Sequence, residues 1–407
     1  MFSFFKKLDK RSRTVVFACY FAFMCNGLLN MMMGSMLPDL KAEYGLSDTV
    51  SGLFLSAHSA GNVIAGFVSA LVPLFLGERK SIMLLSGMAI LGFGMTVFWG
   101  NPVWLFLAFI CIGFGRGSIT NFTNRTVNRL TGGNPSASNC LHATFAVGAI
   151  AAPMAFLFLS LRLGWRAGPI FVACCFLLNI LSLSRMKLDV EYPDRNNRAN
   201  RTLVFLKNPS FLILAGMMFC YVCSEYSVNG WLVTYIQNKQ ELLNSFGKSG
   251  TELDQAVKAY SQTMATLLWV VMLIGRLACA FASAKIPQKK LMMGLSLGMI
   301  VFFALLLTSS TIPMVTLSVA GLGLCMSGMS PMIYSDSATF SNVYPMVTSV
   351  LLVVGAGGSI IMNSLVGILA DHFGFNVGMG AIFVTVIILG VLAILNVAVK
   401  TRRPQEA

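Results

Sequence analysis

Apolar runs of twenty or so residues alternate with short polar gaps along nearly the whole chain. A helix of that length spans the ~30 Å hydrocarbon layer of a bilayer. The pattern predicts twelve transmembrane helices, at 14–37, 49–76, 81–99, 102–128, 138–161, 166–184, 209–236, 262–284, 291–309, 313–334, 345–370 and 376–399. One gap differs from the rest: residues 185–208, containing RMKLDVEYPDRNNRANRTLVFLK, are polar and basic. They act as a linker between halves 1–184 and 209–407, each with six helices. A second long gap runs from Gln237 to Tyr260, and its Thr251–Tyr260 stretch predicts a short interfacial helix. No span is left over for a soluble domain.

Composition agrees with this pattern. The 407 residues are 56% hydrophobic and 11% charged, more apolar surface than a soluble domain of this size can hide. The net charge of +14 raises the question of nucleic acid, but its placement answers it. With the N-terminus inside, cytoplasmic segments hold 21 Lys and Arg and outside loops hold six. That asymmetry is the positive-inside rule and predicts both termini in the cytoplasm. The ten cysteines lie in or beside apolar runs and read as small buried hydrophobes, with no metal spacing. The 25 methionines read as adaptable packing. Glycosylation triplets fall only in membrane or cytoplasmic positions, which points to a bacterial inner membrane as the location.

The halves repeat one another. Turns follow helices 2, 5, 8 and 11 at Gly77-Glu78-Arg79-Lys80, Gly164-Trp165-Arg166, Pro287-Gln288-Lys289-Lys290 and Gly374-Phe375-Asn376. Gly77 to Gly164 and Pro287 to Gly374 are both 87 residues, and the half-to-half offset is 210. Three-helix units nested in six-helix halves are a secondary-transporter pattern, with the solute site expected near midplane between the halves.

Two charges sit where hydrocarbon opposes them: Arg116 in 102–128 and Glu225 in 209–236. A charge at the bilayer centre costs at least roughly 2.5 kcal/mol, so it faces a partner or a watery cavity. Three roles stand open for Glu225: protonatable coupling residue, acceptor for solute hydroxyls, or structural partner of Arg116. Gly117, Asn121, Asn124 and Asn128 form one helical stripe beside Arg116, read either as a cavity wall or as inter-helix packing. Asn26 and Asn30 in helix 1, Asn229 and Trp231 in helix 7, Ser330 and Tyr334 in helix 10 and Asn363 in helix 11 complete the solute-binding candidates. His58 and His142 are further coupling candidates. Arg276, near the inner end of helix 8, reads as a snorkelling residue. Pro331 predicts a bend in helix 10.

At this point a family resemblance emerges over the whole length. Gly77, Arg79 and Lys80 are similar to the end of the Gly-x-x-x-Asp-Arg-x-Gly-Arg-Arg/Lys signature of the major facilitator superfamily, with Leu74 in place of its Asp. Gly367, Asp371 and Gly374 keep the pattern after helix 11. Helix 7, YVCSEYSVNGWLVTY, and helix 5, NCLHATFAVGAIAAP, resemble the fucose–proton symporter-like group, which includes sugar carriers. The resemblance implies an all-α membrane protein whose halves rock about a central site, gated by Gly77, Arg79, Lys80, Pro331 and Asp371. The acids of that group's helices 1 and 4 are absent, with Gly34 and Thr120 near their places. Proton coupling is therefore not inherited.

The expected function is alternating-access transport of a small polar solute, a sugar or related polyol, with a proton or sodium ion as candidate coupling ion. A carrier or exporter of an organic anion or zwitterion gripped by Arg116 stands as the alternative, and a transport-dead receptor as a third. No nucleophile–base or metal constellation suggests an enzyme, no cofactor is implied, and a monomer in the lipid bilayer is expected.

Overall fold

The computed structural model describes residues 8–184, 204–283, 285–341, 344 and 346–399. Residues 1–7 and 400–407 at the ends and linker residues 185–203 lie outside the described residues. The chain divides into two compact units, Met1–Glu191 and Tyr192–Ala407. Among the described residues the long elements are all helices.

The first unit contains α1 (Lys10–Tyr44), α2 (Asp48–Leu71), α3 (Glu78–Phe98), α4 (Pro102–Leu130), α5 (Pro135–Leu163) and α6 (Ala167–Ser184). The second contains α7 (Pro209–Asn238), α8 (Gly250–Ala282), α9 (Gln288–Thr308), α10 (Ile312–Asp336), α11 (Val347–Phe373) and α12 (Phe375–Ala398). Eleven of these are long and apolar enough to cross a membrane. The remaining one, α2, is diluted by His58, Asn62 and several serines and lies along α4.

Local chemistry explains where the helices begin. Asn101-Pro102, Asn134-Pro135 and Asn208-Pro209 each start a helix. The Asn side chain accepts from the backbone N–H two residues on, and Pro occupies the position whose own N–H would be unsatisfied. Three of the four repeated turns share one backbone geometry. Gly77, Gly164 and Gly374 have φ of 74°, 83° and 88° with ψ near 160°, a region open to glycine alone.

Several boundaries differ from the sequence expectation. Thr251–Tyr260 is the opening of α8, continuous with it, because no breaker separates it from the apolar run. α10 is interrupted at Ser327–Gly328, one turn before Pro331. The proline has no N–H to offer the carbonyl four residues back, so the break falls there.

Glycines bring helices together. A Cβ on Gly113 of α4 would overlap the His58 carbonyl oxygen of α2, and one on Gly61 of α2 would overlap that of Ile110 on α4. Gly27 and Gly148 are matched in the same way across α1 and α5. Close backbone approach of this kind is how helices pack where lipid removes the hydrophobic drive.

Candidate functional site: polar clusters within each helical unit

In the first unit the polar residues gather on α1, α2 and α4. Arg116 is 7% exposed, midway along α4. Its carbonyl accepts from the Thr120 hydroxyl at 3.0 Å, and that hydroxyl accepts from Asn26 Nδ2 at 2.8 Å. Asn26 is fully buried, and its Oδ1 has no hydrogen-bond partner among the described residues. His58 of α2 is buried within electrostatic reach of Arg116, with its Nε2 likewise unbonded. Asn30 is half-buried, one turn beyond Asn26.

The stripe expected on α4 does not act as one surface. Gly117 packs on Asn62 of α2, and Asn121 Nδ2 donates to Ser69 of α2 at 2.9 Å. Asn124 donates to the Thr120 carbonyl of its own helix at 2.8 Å, and Asn128 is exposed. Asn121 therefore serves helix packing, because α2 lies against that face. His142 is exposed on α5, edge-on to Phe23.

In the second unit Tyr221, Glu225 and Asn229 fall at i, i+4 and i+8 on one face of α7. Both ends of this stripe are tied down. The Tyr221 hydroxyl donates to the Met326 carbonyl of α10 at 3.0 Å. The Trp269 indole N–H of α8 donates to Asn229 Oδ1 at 3.2 Å. Glu225 lies between these ties, half-buried, with Tyr221 and Tyr334 both within its electrostatic reach. Ser330 is half-buried on the lower segment of α10, and Asn363 is buried on α11 with its Oδ1 unbonded.

Two residues take places other than those expected. Trp231 is fully buried and packs on Phe375 at 5.8 Å, so it fills the unit's core and offers no open face. The reason is its position on α7, two residues past Asn229 and turned away from the stripe. Arg276 does not snorkel. Its guanidinium lies over the Trp269 ring at 5.8 Å, and its Nε is buried. In the sequence Trp269 stands out on helix 8 together with Gly275-Arg276. Its signal was the seven-residue spacing to Arg276, which puts both on one face of α8.

The gating candidates Gly77, Arg79, Lys80, Pro331 and Asp371 are all exposed. Beside them the sequence reading missed Glu78, which is 5% exposed and faces Arg125 and Arg129 of α4, each at 3.8 Å. Among the described residues no cluster of His, Cys, Asp and Glu suits a metal ion, and all ten cysteines are unbridged.

A family model described as Major Facilitator Superfamily matches residues 19–251. No curated protein matches the chain. Among solved structures, the nucleoside transporter NupG superposes with a TM-score of 0.75 at 12% identity, covering 96% of this chain and 100% of its own. A bacterial homologue of the human lysosomal transporter Spinster, in an inward-facing and occupied conformation, gives 0.73 at 18% identity, covering 96% and 98%. The peptide transporter POT in complex with sulfate gives 0.71 at 14% identity, covering 94% of each chain. At these identities the likeness is one of fold.

Proposed function

The chain belongs to the Major Facilitator Superfamily and is a secondary transporter, and from that premise we propose that its solute is a small, neutral, polyhydroxylated molecule, a sugar or related polyol. The observation that carries this reading is the Tyr221–Glu225–Asn229 stripe with Trp269 beside it. A carboxylate and an amide on one helical face supply acceptors and donors for hydroxyls, and an adjacent indole supplies a flat apolar surface. Within the first unit taken by itself, Asn26 and Arg116 are the candidates for polar contacts. Ser330, Tyr334 and Asn363 are the further candidates of the second.

Glu225 also serves as the coupling acid. It is the one carboxylate at mid-helix among the described spans. A proton or cation taken up there changes the charge of the solute site, which is the requirement for coupling the two. The break at Ser327–Gly328 supplies the bend of α10, and the turn carrying the exposed Gly77, Arg79 and Lys80 a gate.

Proteoliposomes holding the purified carrier test this reading with a panel of hexoses, pentitols, nucleosides and short carboxylates. Saturable uptake of a neutral hydroxylated solute is expected. Glu225→Gln should lower it at least about tenfold, the loss of roughly 1.4 kcal/mol from one buried polar contact. Uptake of carboxylates alone, abolished in Arg116→Ala, would establish the second reading. That reading is an organic-anion carrier, favoured by the buried guanidinium midway along α4.

A further inference from the structure

We propose that Cys25 and Cys175 form a redox-modification site, a pair of thiols across α1 and α6 that a neutral, membrane-permeant two-electron oxidant of the diazene class converts to a disulfide. The site lies wholly within the first unit and stands whichever solute is carried.

Helix register sets the pair. A Cβ on Gly168 of α6 would lie 3.1 Å from Met32 Sδ of α1. Seven residues on along α6 is Cys175, and seven back along α1 is Cys25. Antiparallel helices that touch at 168 and 32 touch again two turns along, ~10.5 Å away on the same seam. The side chains meet there. Cys25 Sγ donates to the Cys175 carbonyl at 3.9 Å, and the two thiols lie within hydrogen-bonding reach of each other. Closure to the ~2.05 Å of a disulfide asks the two side chains to turn toward one another.

The surroundings suit a reaction here. Cys25 is fully buried, and Cys175 is half-buried. Ile170, Phe171, Cys174, Leu177 and Leu178 make an exposed apolar face on α6, with Cys175 at its edge. A neutral oxidant dissolved in hydrocarbon reaches Cys175 by that face. Asn179 follows Cys175 by one turn on α6. It is 1% exposed, and neither amide atom has a hydrogen-bond partner among the described residues. The neighbouring register positions on α1 are Phe21 and Ala22, which offer the amide no polar side chain. Its free N–H is a donor for the thiolate through which Cys175 reacts.

The chemistry balances within the two steps. Cys175 sulfur adds across the N=N bond, an S–N bond forms, and the thiol proton passes to the other nitrogen. Cys25 sulfur then attacks Cys175 sulfur. The S–S bond forms, the S–N bond breaks, and the leaving nitrogen takes the second proton. The thiols give up two electrons, and the diazene becomes a hydrazine. Only Cys175 has to meet the oxidant. The resulting tie holds α1 at the residue before Asn26, whose amide donates to Thr120 at 2.8 Å.

The test uses the purified full-length carrier in lipid nanodiscs, treated with diazenedicarboxamide. The chain is then denatured, its remaining thiols are alkylated, and the peptides are mapped by mass spectrometry. Wild type should lose two of its ten alkylatable thiols and yield a Cys25–Cys175 linked peptide. Cys25→Ser and Cys175→Ser should each keep all their remaining thiols, and Cys25→Ala serves should the serine disturb the seam. Cys174→Ser should cross-link as wild type does. Asn179→Ala should slow the loss of thiols at least about threefold with the linkage unchanged, as fits a residue that positions the thiolate. Ten alkylatable thiols after treatment overturn the proposal. So does a link formed elsewhere, for which Cys279 and Cys325 in the second unit are the nearest rivals. Loss of cross-linking in Cys174→Ser would move the reactive thiol to the neighbouring residue and overturn it equally.

Discussion

At one end of the first unit, Glu78 opens α3 and faces Arg125 and Arg129 of α4, each at 3.8 Å. The stations of Glu78 and Arg125 recur 210 residues later with neutral chemistry. Gln288 opens α9, donates to the Met332 carbonyl and accepts from the Ser335 hydroxyl at 3.2 Å. Ser335 stands where Arg125 does. The opposite end of the helices repeats the lesson. Arg166 Nε caps the Val97 carbonyl in the last turn of α3 at 3.2 Å, while its Nη2 binds Glu43 at 2.8 Å. The residue 210 positions on is Asn376, which has no charge. It accepts from the Tyr235 hydroxyl at 3.0 Å. The cation comes instead from Lys239, whose Nζ donates to Leu307, the counterpart of Val97, at 2.7 Å and to Leu306 at 3.1 Å. The fold thus requires a polar tie at each of these places, and the ionic or neutral character of the tie is free to vary. Exposed C-terminal carbonyls of α3 and α9 need a donor, and a cation there also meets the negative end of the helix dipole.

Packing shows the same inequality. Gly113 and Gly323 are 210 apart, as are His58 and Leu268, the residues whose carbonyls they approach. In the first unit the crossing carries a glycine on both helices, Gly61 and Gly113. In the second only Gly323 remains, and an added Cβ would lie 2.7 Å from the Leu268 oxygen. Gly113→Ala should therefore cost about 3 kcal/mol or more, since a backbone oxygen must move, and Gly323→Ala about half that. Thermal unfolding of the two variants compares them, and equal losses would show that the two crossings are equally tight.

Lys239 comes next in expected effect. It is 4% exposed, and burial pulls its ammonium below the ordinary lysine range, with Glu241 opposing that pull. Lys239→Met removes the donor to two carbonyls and to Tyr235, and should cost roughly 2 kcal/mol after allowing for the burial penalty it relieves. Asn376→Arg in that background copies the arrangement of the first unit. It should restore part of the lost melting temperature, and no recovery would show that the ties at this end are not interchangeable. Glu78→Gln should have the smallest effect, about 1 kcal/mol, because Arg125 and Arg129 are over a third exposed and screened. Adding Arg125→Ser recreates the Gln–Ser pair of the second unit and should recover that loss.

Much of the molecule was legible from residue order. Helix number, the central division, the glycine turns and the 210-residue offset follow from apolar run length and from backbone demands that are local. Arg116 and Glu225 stood out because charge in an apolar run is a local anomaly too. The partners were not legible. Glu78 read as a loop charge, yet α3 carries it beneath α4. Lys239 counted as an outside-loop cation, yet it is buried on α9. Asn121 looked like a cavity residue until α2 covered it. Pro331 located the bend of α10 only to within a turn.

Period and hydropathy therefore determined which segments form long apolar helices, and their order along the chain. The tertiary structure decided which of two tryptophans is tied to Asn229 and which asparagines are consumed by packing. The physical reason is the range of the interactions. Helix formation and membrane partition are settled within about twenty consecutive residues. A hydrogen bond from Trp269 to Asn229 depends on how two helices are set against each other, and no short stretch of sequence contains that information.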